Sequence, residues 1–200
     1  MYSQNNEEKI ILDYFGFVTG TFLDIGANDG VTFSNTKMLS ERGWSGVLVE
    51  PSPKAYARLK ELYKDIDGVY TYPFAIGNRN GKDVLFESMS LITPNDVALV
   101  STFKQDEILR FKDITKYNPV EVQVFRWKTF LNRVKYKTFD FISIDAEGLD
   151  LDILVQIDLT DTKMVCVEWN GRDEAAYGNY CENYGMRQIA KNGENLIYAR

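Results

Sequence analysis

The 200-residue chain predicts an α/β fold, a mainly parallel sheet with helices on both faces and a C-terminal antiparallel hairpin. Three observations carry the prediction. Short apolar runs of strand length alternate with segments of helical periodicity. Several of those runs end on an acidic residue followed by a glycine-containing turn. The tail MRQIAKNGENLIYAR reads as two strands turned at Asn192-Gly193. Alternation of this kind implies parallel strands joined by right-handed crossovers. With 44% hydrophobic and 26% charged residues, the composition is that of one ordinary globular domain over residues 1–200.

Residues 1–20 form a lead-in, with Ile10, Ile11, Tyr14 and Phe15 at helical spacing. TFLDI (21–25) is the first strand, and the polar segment VTFSNTKMLSERG (31–43) supplies the next helix. Gly43 stops that helix before the strand GVLVE (46–50). Ser52 then caps a helix with Pro53 at its first position and Tyr56, Leu59 and Tyr63 along one stripe. VYTYPFAI (69–76) is a strand bulged or edge-placed by Pro73, and Asn80-Gly81 signals a hairpin into KDVLFE. Residues 88–120 read as a long loop with a short helix near 105–112, the kind of segment that often serves as a lid or binding loop. FDFISI (139–144) is a core strand, followed by DAEG, the helix DLDILVQI and the strand MVCVEW (164–169).

The net charge of −6 argues against a nucleic-acid backbone as the main partner. The basic stretch 116–137 reads as a solvated amphipathic surface, with a phosphate-binding patch as the alternative. No apolar run reaches the roughly 20 residues of a membrane span. The acidic N-terminus lacks the pattern of a secretion signal, so a cytoplasmic location is expected. Cys166 sits in an apolar run and Cys181 in a tyrosine-rich one, without zinc-site or disulfide spacing. Histidine is absent altogether, which removes the usual general base near neutral pH.

Ligands of open α/β sheets bind beyond the carboxyl ends of the strands. Here those ends carry Asp24, Glu50, Asp145 with Glu147, and Glu168, a repetition of charge that a purely structural sheet does not need. The dinucleotide fingerprint G-x-G-x-x-G would require glycine at 26, 28 and 31, whereas the chain has Gly26, Asn28 and Val31. The looser G-x-G-x-G turn of methyltransferases fits all but Asn28, and asparagine tolerates a left-handed backbone. Glu50, twenty positions after Gly30, is placed to accept hydrogen bonds from ribose hydroxyls. Asp24 would repel a pyrophosphate but suits the cationic amino group of a methionine moiety.

FLDIGANDG (22–30), LVEPSP (48–53), FISIDAEGLDLDIL (141–154) and the terminal ENLIYAR together resemble the FkbM-type S-adenosylmethionine-dependent methyltransferases. The resemblance spans nearly the whole chain, and its usual DIGANDG block makes Asn28 no departure. It implies a Rossmann-like class I methyltransferase fold. It also implies O-methylation of a hydroxyl on a sugar, glycan or natural product, with a small-molecule or glycan acceptor as partner. By position, Asp24, Gly26, Ala27, Asn28 and Gly30 would line the methionine part and Glu50 the ribose. Pro51, Ala75 and Ile76 would flank the adenine, and Asp145 would face sulfonium and acceptor.

A sugar hydroxyl is a poor nucleophile until its proton leaves. Asp145 or Glu147 is expected to take that proton, directly or by holding a divalent ion such as Mg²⁺. The plainer reading leaves Asp145 as a cofactor contact and Glu147 as a helix cap. Glu168, Trp169 and Asn170 at the next strand end, with Ser101 and Thr102 in the loop, are candidate acceptor contacts. Two rivals remain open: an NAD-dependent sugar oxidoreductase, and a cofactor-binding subunit whose acceptor site has degenerated.

Overall fold

The computed structural model describes residues 1–90 and 98–200. In chain order its first elements are α1 (Glu7–Phe15), β1 (Thr21–Ile25), α2 (Lys37–Glu41), β2 (Ser45–Val49), α3 (Pro53–Tyr63) and β3 (Val69–Tyr72). Next come β4 (Ala75–Ile76), β5 (Gly81–Ser90), α4 (Gln105–Phe111), β6 (Thr115–Phe125) and α5 (Trp127–Leu131). The chain ends with β7 (Phe141–Ile144), α6 (Asp150–Leu154), β8 (Met164–Glu168), α7 (Glu174–Glu182), β9 (Arg187–Lys191) and β10 (Asn195–Ala199).

Seven strands form the main sheet in the order β3-β2-β1-β7-β8-β10-β9. The first five run parallel and the closing hairpin is antiparallel, as expected. The sheet is apolar on both sides because each residue in turn points to the opposite face. Leu23, Ile25, Val47, Ile142 and Val165 meet Phe130, Ile153 and Tyr177 of α5, α6 and α7. Phe22, Leu48, Phe141 and Cys166 meet Ile11, Leu39, Leu59 and Tyr63 of α1, α2 and α3 on the other side. Ser52 caps α3 by accepting from Ala55 N at 3.2 Å, with Pro53 in the first turn. Both cysteines are buried and free. Among the described residues no helix is long and apolar enough to cross a membrane.

Five features depart from the sequence reading. The expected helix over 31–43 is confined to α2. Ahead of it, the Asp29 carboxylate accepts from Val31 N and Thr32 N, and Ser34 Oγ accepts from Lys37 N. These local bonds outcompete helical ones and leave an irregular approach of eleven residues, 26–36. Residues 69–76 split at Pro73 into β3 of the main sheet and β4 of a second one. The Asn80-Gly81 turn does not close a hairpin, because β6 lies between β4 and β5: Ala75 and Gly81 are both in register with Val124. Both ends of the expected 88–120 loop, 88–90 and 115–120, are instead strand, since β5 and β6 pair without interruption from Gly81↔Val124 to Ser90↔Thr115. The short helix near 105–112 is present as α4, and positions 91–97 lie outside the described residues. Helix α6 is also shorter than DLDILVQI, ending at Leu154.

The lead-in is more than a helix. Glu7, fully buried, accepts from Asn5 N and from the side-chain amides of Asn192 and Asn195. Gln4 and Asn5 both donate to Glu194. The first residues are thereby tied to the turn of the closing hairpin, and that turn sits at the carboxyl edge of the sheet.

Candidate active site

The carboxyl ends of β1, β2, β7 and β8 open into one cavity of about 310 Å³. Its floor is set by the β1 turn. Gly26 N and Ala27 N both donate to Val49 O, and Asp145 N donates to Ile25 O, so the parallel ladder continues past the strands. Gly26 has φ +84°, and a Cβ built there would stand 1.7 Å from the Asp145 carbonyl oxygen. Only glycine allows the two turns to approach so closely.

Asn28 is the hinge between the turn and Glu50. It adopts φ +48°, the left-handed region asparagine tolerates. In that conformation its N–H donates to Glu50 Oε2 at 2.9 Å, while Ser52 N donates to Glu50 Oε1 at 2.6 Å. The Glu50 carboxyl is therefore fixed by two loops before any ligand arrives. Asp24 is held similarly, accepting from the Thr36 hydroxyl at 2.5 Å. Burial pushes Asp24 up to about 6 and Glu50 up to about 7.

On the other side of the cavity stands DAEG. Asp145 follows β7 and Glu168 ends β8; because Ile144 is in register with Val167, the two side chains are next neighbours across the sheet. Asp150 reaches back from α6 to accept from Ala146 N at 2.6 Å and Gly148 N at 3.0 Å, which folds the intervening loop tightly. Burial raises Asp150 to about 6 despite those donors. Asp145 is itself exposed at the cavity wall, and desolvation by the surrounding groups, followed by the Asp150 and Asp24 charges, raises it above the usual carboxylate range. Glu147 is raised by the same desolvation and by Asp145 and Asp150, with Arg110 pulling the other way. Glu168 is raised too, by burial first and then by Asp145, Asp150 and Glu147.

The shifts have a consequence for stability. A carboxyl whose folded pKa exceeds its unfolded one binds more protons folded than unfolded. Its contribution is complete below the ordinary carboxylate range and lost as pH rises through the folded value. For Asp24, Asp150 and Glu50 that loss runs up to about 6 to 7. The urea midpoint of ligand-free protein is expected to be higher near about pH 5 than near about pH 8. The opposite order would mean that these carboxyls are not enclosed as described.

The structure brings Asp24, Gly26, Ala27, Asn28, Glu50, Pro51, Ala75, Ile76, Ser101, Asp145, Glu147, Glu168 and Asn170 together around the cavity. Three residues expected there face elsewhere. Gly30 lies on the core side of the turn, against Leu59 and Tyr63. Thr102 is buried and donates to Glu147 O at 2.8 Å, shaping the DAEG loop from behind. Trp169 packs on the core, with Nε1 donating to Asn192 O and Lys191 Nζ 4.3 Å from its ring centre. Several further lining residues had no signal as site residues in the sequence; among them Gln4, Glu194 and Asn195 arrive through pairings between distant parts of the chain. None of the basic stretch 116–137 lines the cavity; Arg126 donates to Asn78 O and Lys137 to the carbonyls of Leu131 and Val134.

The donor set suits S-adenosylmethionine better than a dinucleotide. Carboxyls at Asp24, Asp145 and Glu147 match a cationic ligand, the fixed Glu50 offers acceptor oxygens, and Ala75, Ile76 and Leu85 supply an apolar wall. A pyrophosphate would meet those same carboxylates. It would also lack the helix N-terminus it normally uses, because α2 begins only at Lys37.

Comparison with known proteins agrees with this geometry. The profile of the methyltransferase FkbM domain matches residues 24–187. The 2-O-methyltransferase NoeI of Sinorhizobium fredii (strain NBRC 101917 / NGR234) is 23% identical over 155 residues, 76% of this chain and 63% of that protein. The chain thus spans less than two thirds of that relative's length. Among solved structures, monomeric WbdD superposes with a TM-score of 0.54 at 12% identity, over 98% of this chain and 41% of WbdD. PH1948 of Pyrococcus horikoshii, provisionally assigned as an RNA methyltransferase, gives 0.50 at 8% identity, over 97% of this chain and 81% of its own. These two show a shared fold.

Proposed function

The chain belongs to the methyltransferase FkbM domain family of S-adenosylmethionine-dependent methyltransferases, and from that premise we propose that it methylates a hydroxyl oxygen of a sugar, glycan or natural product. The observation that carries the reading is the single cavity joining the fixed Asp24–Glu50 side to the DAEG carboxyls. NoeI, by its name a 2-O-methyltransferase, supports oxygen as the target atom.

In this reading Asp24, Gly26, Ala27 and Asn28 hold the methionine part, and Glu50 accepts from the ribose hydroxyls. Pro51, Ala75 and Ile76 enclose the adenine. S-adenosylmethionine, when bound, supplies a methyl group already activated on sulfur, so the protein's work is placement and proton removal. Asp145 or Glu147 takes the proton: the acceptor O–H bond breaks and the proton passes to a carboxylate oxygen. A carboxylate whose pKa is raised by desolvation is a stronger base than an ordinary one, which compensates for the missing histidine. A divalent ion such as Mg²⁺ at these carboxylates offers the second route, by acidifying the hydroxyl. Ser101, Glu168 and Asn170, which also line the cavity, contact the acceptor.

Titration calorimetry of the purified protein tests the cofactor. Heat is expected from S-adenosylmethionine and none from NAD; the reverse would make the protein an oxidoreductase instead. Incubation with labelled donor and a panel of sugars and glycans tests the acceptor. Donor binding without transfer to any hydroxyl would leave a cofactor-binding subunit.

A further inference from the structure

We propose that Asp145, Asp150 and Glu168 form a divalent-cation site of their own at the edge of the cavity, suited to a hard ion such as Mg²⁺ or Mn²⁺. Each offers one carboxylate oxygen, and these oxygens all lie within 4.8 Å of one another. The arrangement follows from topology. Asp145 and Glu168 are carried beside each other by the parallel pair β7–β8, and Asp150 is folded back onto them by its bonds to Ala146 N and Gly148 N.

Proximity of acids alone would not identify a site. The second observation is Glu168, which is 8% exposed, yet its Oε2 has no hydrogen-bond partner. A buried polar oxygen without a partner is costly, so an oxygen placed this way points to a ligand. No lysine or arginine among the described residues forms an ion pair with any of the three. The nearby arginines, Arg110 and Arg172, are both engaged by Glu107. Three mutually repelling carboxylates without an organic cation are the setting in which a metal ion lowers the energy most.

The donor chemistry selects the ion. All three ligands are oxygens, and the chain has no histidine to draw zinc, copper or nickel. Three carboxylates leave the remaining positions to water or to an incoming hydroxyl, the coordination habit of Mg²⁺ and Mn²⁺. Glu147 is outside the trio, so it keeps its proton-accepting role while the ion occupies the neighbouring position. The site adds to the methyl-transfer reading but stands without it, since it needs neither donor nor acceptor.

The experiment is a Mn²⁺ titration of the whole, metal-stripped protein, followed by calorimetry and by loss of the free-ion EPR signal, with no other ligand present. One ion per chain is expected, with Kd below about 1 mM. Glu168→Gln and Asp145→Asn should each weaken Mn²⁺ by about tenfold or more, because affinity follows the number of carboxylates. Asp24→Asn, which removes a cavity charge outside the trio, should change it less than about threefold. Circular dichroism establishes that each variant is folded. Absence of binding to the wild type, or equal weakening in all three variants, would overturn the site. Either result leaves the methyl-transfer reading standing, and a failure of methyl transfer leaves this titration unaffected.

Discussion

Gly26→Ala is expected to cost at least about 3 kcal/mol of folding stability and to abolish binding of S-adenosylhomocysteine. The magnitude follows from what the new Cβ would meet: the backbone oxygen of Asp145 at 1.7 Å, far inside any tolerated contact. A flexible side chain could move aside, but this carbonyl belongs to the residue whose N–H is bonded to Ile25 O. Relief therefore requires β1 and β7 to part just where the cavity begins. Gly43 is the natural control, because it has φ +81° but nothing within 4 Å of a built Cβ. Gly43→Ala should pay only the left-handed backbone cost, about 1–2 kcal/mol. Urea denaturation of the two variants separates contact from conformation. Equal losses would show that the close approach of the two turns is not what glycine serves at position 26.

That contrast also shows where sequence reading succeeds. The turn glycine, the acids at the strand ends and the Ser52-Pro53 cap are all local signals, and local signals are legible in a single chain. Strands β1, β2, β7 and β8 are equally legible, because a strand buried on both faces leaves a continuous apolar run. Strand pairing is not local. The Asn80-Gly81 turn has hairpin chemistry, yet the partner of β5 is β6, and that choice depends on Val120, Val122 and Val124 some forty residues later. Gly30 and Trp169 illustrate a related limit. Each sits within two positions of cavity residues in sequence, but a short step along a turn reverses the side a residue faces, so both pack on the core. Gln4 and Glu194 meet at the cavity, where Gln4 Nε2 bonds Glu194 Oε1 across nearly the full chain. No periodicity or motif marks such a pair in advance.

Asp145→Asn and Glu147→Gln are expected to lower kcat for methyl transfer by about 10²- to 10⁴-fold, the usual worth of a positioned proton acceptor. Which of the two carries the larger loss identifies the base. The pH profile tests whether the loss is chemical. Both carboxyls are raised by desolvation and by like charge, so the base form fills only at higher pH and the wild-type rate should climb well above the ordinary carboxylate range. Two acids this close titrate as a pair, and the pair's apparent pKa values govern the profile. Removing the Asp145 charge takes away the strongest repulsion on Glu147. The rise of the residual rate should therefore move to lower pH in Asp145→Asn, a displacement that a merely structural lesion would not produce. EDTA separates the two routes, since direct proton transfer survives chelation and metal-assisted transfer does not. Full activity in both variants, unaffected by EDTA, would remove these carboxylates from the chemistry and leave donor placement as the source of the rate.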